Sequence, residues 1–171
     1  MQGRRLDKAF FEADSLEVAQ NLLGKIIVRQ FDNYSIKRYR ISETEAYRGE
    51  DDLACHAAKG RTSRTEVMYH AGGKVYVYLV YGVYWMLNFV TSETNYPAAV
   101  LIRSAGEITG PGRLGRELQL DKTFYGEDLS TSKRIWVEDD GLKAPVYKAI
   151  PRIGVDYAGE WAQKKWRFVM E

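Results

Sequence analysis

Residues Val75–Asn88 read VYVYLVYGVYWMLN and hold four of the chain's 12 tyrosines. Two runs of β-branched and aromatic residues flank Tyr81-Gly82, and a glycine there supplies the positive φ of a tight turn. The stretch therefore predicts a β-hairpin. Side chains alternate along a strand, so Val75, Val77 and Leu79 share one face and Tyr76 and Tyr78 the other. The aliphatic face is expected to meet a core. Tyrosine is an ordinary strand residue, but two of them also offer a surface on which a planar ring can stack. Tyr81 is less ordinary, because a large aromatic at a solvated tip is exposed unless it inserts into something. Proteins that bend or open DNA insert such wedges between base steps. Asn88 stands in an apolar strand, where a buried amide needs hydrogen bonds; it is either a structural bracket or a group that reads a ligand. Tyr76 and Tyr84 are read as structural.

Working outward, Asp14-Ser15-Leu16-Glu17 has capping-box spacing and leads into Leu16, Ala19, Leu22 and Leu23 at helical intervals. With Gly24 as a stop, the pattern predicts a helix over 15–23. Lys25–Phe31 and Tyr34–Tyr47 flank Asp32-Asn33 and read as a first hairpin. Residues 48–73 read as loop. Ala98–Arg103 is a further strand, Gly110-Pro111-Gly112 breaks the chain, and Arg113–Leu120 suits a short helix. Strands are also expected at 134–138 and 150–155. Strands outnumber helices and are joined by short turns. The expected fold class is α+β: a single domain over 1–171 with a mostly antiparallel, curved sheet, a few short helices and a protruding hairpin.

The 171 residues suffice for one self-supporting core. Hydrophobic residues make up 45% and charged residues 28%, the balance of a soluble globular chain. The single cysteine, Cys55, precludes an internal disulfide. No apolar run suits a membrane span, and Met1–Lys8 has no signal-type hydrophobic region. A cytoplasmic, nucleoid-associated location is expected, or a nuclear one in a eukaryote.

In ISETEAY, Glu43, Glu45 and Tyr47 share a face, with Cα atoms of the two acids roughly 7 Å apart. They form either a solvated edge or a pocket in which a carboxylate activates water, as carboxylates do in glycosidic hydrolysis. The following loop carries Cys55, His56 and His70. Adjacent Cys55-His56 with no second cysteine lacks the spacing of a structural zinc site, so no metal is expected. Glu50-Asp51-Asp52 reads as a solvated charge run rather than a magnesium site. Arg61 and Arg64 are possible small anchors for phosphate or carboxylate.

Together these pieces resemble the alkyladenine (3-methyladenine) DNA glycosylase family, in its mammalian-type branch with bacterial members. The runs that carry the resemblance are LLGKIIVR, ISETEAYRGEDDLACH, VMYHAGGKVYVYLVYGVYWMLN, AAVLIRSA, GPGRLGREL and RIGVDYAGEW, in family order from about residue 10 to 168. The resemblance implies a monofunctional enzyme that flips an alkylated or deaminated purine from duplex DNA and leaves an abasic site. Candidate bases are 3-methyladenine, 7-methylguanine, hypoxanthine and ethenoadenine. It implies Glu45 as the general base for water, and Tyr47, His56, Tyr78 and Asn88 around the flipped base, with Asn88 disfavouring guanine. Tyr81 and Val83 would intercalate from the minor-groove side, and Arg103 would meet phosphate and water. No cofactor, metal or membrane is implied, and a monomer is expected.

The chemistry fits that resemblance. A stacked base hides its glycosidic bond, so the nucleotide must be extruded. Loss of the base builds positive charge on the sugar, which a carboxylate stabilises. A base alkylated on a ring nitrogen is cationic and a good leaving group, and cation–π attraction to Tyr47 and Tyr78 would favour it. Neutral bases need a proton, and no obvious acid is present. Thr65, where the family often has asparagine, and Gly115-Arg116, where it often has Cys-Gln, depart from the pattern. The connection after Arg103 is short. Two other readings are a non-catalytic nucleic-acid-binding module, which stacks bases but has no use for Glu45, and a small-nucleoside hydrolase, which has no use for Tyr81.

Overall fold

One long strand organises the molecule. The computed structural model describes residues 3–171, and in it β3 runs from Ile36 to Arg48. Its first half pairs with β2 (Ile26–Gln30), from Ile26↔Arg40 to Gln30↔Ile36. Its other edge takes β6 (Ala98–Ala105), with register shifts on either side of Glu43. Beyond that irregularity the edge left by β2 is taken by β10 (Arg167–Met170), with Arg167 opposite Glu45. Such a bulge bends a strand and increases its twist, and here it lets one strand serve three neighbours.

The sheet extends from β6 through β5 (Tyr84–Val90) to β4 (Val75–Val80), and from β2 through β8 (Ile135–Asp139) to β1 (Arg4–Arg5). β7 (Ile108–Thr109) adds to β6 and β9 (Tyr147–Ile150) to β10, and the pairings are antiparallel throughout. The fold is α+β, with an open antiparallel sheet and few helices, as expected. No helix among the described residues is long and apolar enough to cross a membrane.

Helices α1 (Lys8–Phe11) and α2 (Ser15–Leu22) lie between β1 and β2 in the chain. The Asp14 carboxylate accepts the Leu16 N–H at 2.9 Å, supplying the expected cap. The helix buries Val18, Ala19 and Leu22, and Thr44 on β3 donates its hydroxyl to the Ala19 carbonyl at 2.9 Å. Withdrawing Val18 or Leu22 from water stabilises the fold by roughly 1.5–3 kcal/mol each. With Ile41 and Ala46 also in this core, Glu43, Glu45 and Tyr47 are left on the opposite face. α3 (Pro111–Glu117) begins on Pro111 rather than Arg113. It lies so close to β5 that a Cβ on Gly115 would sit 1.9 Å from the Trp85 carbonyl oxygen, which is why glycine stands there.

Four expectations require correction. Leu79 does not reach the core: it is 43% exposed, because the β4–β5 hairpin outruns the body of the protein. The strand expected at 150–155 lies at Tyr147–Ile150, since Pro151 lacks an N–H and Gly154 takes φ 77°. Residues 48–73 are not pure loop but contain 3-10 turns at His56–Lys59 and Glu66–Tyr69. The charge run 50–52 is not solvated throughout, because Asp52 is fully buried. At the hairpin tip Tyr81 has φ 55° and Gly82 φ 67°, with the Val83 N–H donated to the Val80 carbonyl at 3.1 Å. Tyr81 is 89% exposed and Val83 59%, so the tip stands clear of the protein.

Candidate active site

Glu45 lies between two neighbouring strands, opposite Leu101 on β6 and Arg167 on β10. Its Oε1 accepts the Tyr47 hydroxyl at 2.8 Å and Arg103 Nη1 at 3.3 Å. Its Oε2 accepts the backbone N–H of Ile153 at 2.7 Å. The side chain is wholly covered, with Tyr47, Arg103 and Ile153 between it and an adjoining cavity. A carboxylate has about four acceptor positions; three are used here, and the one left is on Oε2.

Glu43, two residues earlier, accepts Arg167 Nη1 at 2.9 Å and the Ser104 hydroxyl at 3.0 Å. Arg103 lies between the two acids, with its Nε 3.5 Å from Glu43. Arg103, expected to meet phosphate and water, here contacts Glu45 directly. Glu43 and Arg167 complete a four-charge cluster that strand alternation only half disclosed.

The cavity beside this cluster measures about 160 Å³. That is several times the roughly 30 Å³ a water occupies in the liquid, so it has room for a planar ring. Tyr47, His56, Tyr78 and Asn88 all line it, along with Tyr76 and Arg103. Burial, reinforced by the charge of Glu45, holds the Tyr47 hydroxyl well above its ordinary pKa, and Tyr78 is pushed up to about 12 for the same reasons. Both phenols are therefore neutral donors at physiological pH.

His56 is T-shaped against Tyr78, with ring centroids 4.5 Å apart, and its Nδ1 meets the Tyr76 hydroxyl at 2.8 Å. Burial pushes its pKa down to about 4, helped by the positive charges of Arg64 and Lys59. A neutral imidazole with Nδ1 occupied leaves Nε2 to face a ligand. Tyr76, read from the sequence as structural, is thus the residue that orients His56. Asn88 makes the structural bracket and also borders the cavity. Its amide nitrogen donates to the Tyr76 carbonyl at 3.2 Å, and the side chain also forms part of the cavity wall.

The remaining loop residues divide differently from expectation. Arg61 is engaged with both carboxylate oxygens of Glu66, at 2.9 and 2.7 Å, whereas Arg64 lies over the Tyr78 ring at 5.2 Å. Thr65 is buried, accepting the Thr62 N–H and donating to the Gly60 carbonyl, so it shapes the loop from within. His70 lies between Glu66 and Lys74, and Cys55 is buried with its thiol pushed up to about 12. Among the described residues no three His, Cys, Asp or Glu side chains are grouped to hold a metal ion.

Sequence reasoning missed one buried ion pair. Arg152 Nη1 and Nη2 donate to the two carboxylate oxygens of Asp52 at 2.6 and 2.9 Å, with both side chains fully buried. The Arg152 guanidinium lies over the Tyr47 ring at 4.9 Å. Asp52 had shown only as one of three consecutive acids, and its partner lies 100 residues away.

Comparison with known proteins identifies the family. A family model described as methylpurine-DNA glycosylase (MPG) matches residues 9–109 and 106–171. A protein of Psychrobacter cryohalolentis is 42% identical, over 92% of this chain and 87% of its own length. One of Methanocella arvoryzae is 44% identical, over 95% and 90%. One of Legionella pneumophila is 40% identical, over 98% and 95%. Each is named "Putative 3-methyladenine DNA glycosylase". With the model matched along almost all of its length and such relatives on either side of it, the chain belongs to the methylpurine-DNA glycosylase family.

Proposed function

We propose that the protein is a DNA glycosylase that extrudes a damaged purine from duplex DNA and hydrolyses its N-glycosidic bond, leaving an abasic site. The observation that carries this reading is the buried Glu45 carboxylate, fixed by Tyr47, Arg103 and Ile153 at the back of an aromatic cavity. A pure binding module has no use for a carboxylate there, since it repels phosphate.

The flipped base enters the cavity between Tyr47, His56 and Tyr78, with Asn88 at the wall. As the base departs, positive charge develops on the sugar, and the Glu45 carboxylate stabilises it. Water takes the open acceptor position on Oε2 and gives its proton to the carboxylate as it attacks. Arg103 presently covers Glu45. A DNA phosphate drawing the guanidinium outward would open that carboxylate to the water. Tyr81 and Val83, exposed at the hairpin tip, fill the space the base vacates and enter from the minor-groove side. A positive φ at a bulky aromatic residue costs on the order of 1 kcal/mol or more, a strain that functional tips retain. The protein acts as a monomer.

The cavity favours neutral as well as cationic bases. Arg152 and Arg64 already lie over the Tyr47 and Tyr78 rings, which tempers the cation–π preference expected from the tyrosines alone. The test is base release from duplexes that carry 3-methyladenine, 7-methylguanine, hypoxanthine or ethenoadenine, each opposite its normal partner. Release of at least one base with a stoichiometric abasic site is expected. Failure to release any of them overturns the reading.

A further inference from the structure

Arg152 ties together three segments beside Glu45: strand β3, the turn at Asp52 and the stretch that ends at Trp161. Its four terminal N–H groups have four acceptors. They are the Ala46 carbonyl at 3.0 Å, the two Asp52 oxygens at 2.6 and 2.9 Å, and the Trp161 carbonyl at 3.1 Å. Ala46 sits between Glu45 and Tyr47 on β3, so that bond pins the backbone of both. Asp52 in turn accepts the N–H groups of Arg48 and Ala54, each at 3.1 Å, and so shapes the turn that delivers His56. The Trp161 carbonyl belongs to the stretch Asp156–Gln163, two 3-10 turns kinked at Gly159, the first of which carries Tyr157 to the cavity. The residue next to Arg152 is Ile153, whose N–H holds Glu45 Oε2. The flat faces of the guanidinium are also used, lying 4.9 Å from the ring centroids of both Tyr47 and Trp166. Its Nε–H is buried with no partner among the described residues.

A buried ion pair is a weak device for stability, because desolvation offsets most of the attraction, and an apolar replacement is often as stable. A planar cation with a rigid fork of donors is a strong device for fixing several carbonyls and a carboxylate in one geometry. We propose that Arg152, neutralised by Asp52, is a positioning residue for the glycosylase centre: it sets Glu45, Tyr47 and the His56 loop in mutual register. This inference rests on the proposed hydrolysis at Glu45.

Single-turnover base release under saturating enzyme tests it, with wild type, Arg152→Lys and Asp52→Asn compared. Lysine satisfies Asp52 but is a point charge that reaches neither carbonyl pair nor stacks on rings. Both variants are expected to lose at least tenfold in the rate constant of the active molecules, with affinity for the lesion duplex within threefold of wild type. A merely structural role predicts a reduced reaction amplitude at an unchanged rate constant, and that result overturns the proposal. So does a loss confined to duplex binding. If neither variant folds, Trp166→Leu removes one of the two stacked rings and spares the ion pair. A severalfold slower rate constant supports the proposal, and a wild-type value overturns it. Wild-type enzyme that releases no base overturns the function as well, whereas active wild type with undiminished variants overturns only the role of Arg152.

Discussion

The hydroxyl of Tyr47 donates to Glu45 Oε1 at 2.8 Å, between two side chains on the same face of one strand. That tyrosine lines the cavity while its hydroxyl supports the carboxylate, so a single residue links the cavity wall to Glu45. Removing the hydroxyl separates the two roles. Tyr47→Phe keeps the wall but deprives the carboxylate of a donor worth roughly 1.5–3 kcal/mol. Its single-turnover rate is expected to fall on the order of tenfold, with lesion-duplex affinity nearly unchanged. Equal losses in rate and affinity would assign Tyr47 to binding alone.

His56 predicts a pH dependence of stability. Its folded pKa of about 4 lies below the ordinary 6.5, so between those values the unfolded chain binds the proton more readily. The stabilisation is fully present above pH 6.5 and is lost as pH falls toward 4. By pH 5 the loss amounts to about 2 kcal/mol. Urea unfolding at pH 8 and pH 5 measures it, and His56→Gln should abolish that share of the difference. An identical pH slope in the variant would remove His56 as its source.

Arg64 predicts lesion choice. Its guanidinium stands over Tyr78 and its charge reaches His56, so it opposes a cationic base more than a neutral one. Arg64→Gln should raise the excision of 7-methylguanine relative to hypoxanthine severalfold, measured as a ratio on the same enzyme preparation. A ratio that stays fixed while both rates fall would assign Arg64 to phosphate binding.

The β4–β5 hairpin was legible because strict alternation and a glycine at the turn are local signals, and the face shared by Glu43, Glu45 and Tyr47 followed from the same period. Leu79 was misread because alternation tells which face a residue takes but not where the core ends. The segment 151–155 resembled a strand through Ile153 and Val155. Pro151 and Gly154 break the ladder, and the Ile153 N–H is directed to a carboxylate instead of another strand. Neither Asp52 nor Tyr76 could be singled out locally. The burial of Asp52 depends on an arginine 100 residues away, and Tyr76 acquires its role only when a distant loop sets His56 against it. The catalytic and pocket candidates come from resemblance to a family; Tyr47, His56, Tyr78 and Asn88 line one cavity, and Glu45 lies behind its wall. The residues that hold them in register came from long-range packing.

The central claim is that Glu45 activates water for loss of the base. Glu45→Gln is nearly isosteric: its carbonyl oxygen can accept from Ile153 and its NH2 can donate to the Tyr47 hydroxyl oxygen, but an amide takes up no proton. The decisive measurement is single-turnover base release by this variant, alongside its affinity for the same lesion duplex. The account predicts a rate at least a thousandfold below wild type with affinity largely retained. Release at the wild-type rate by a folded, DNA-binding variant would contradict it.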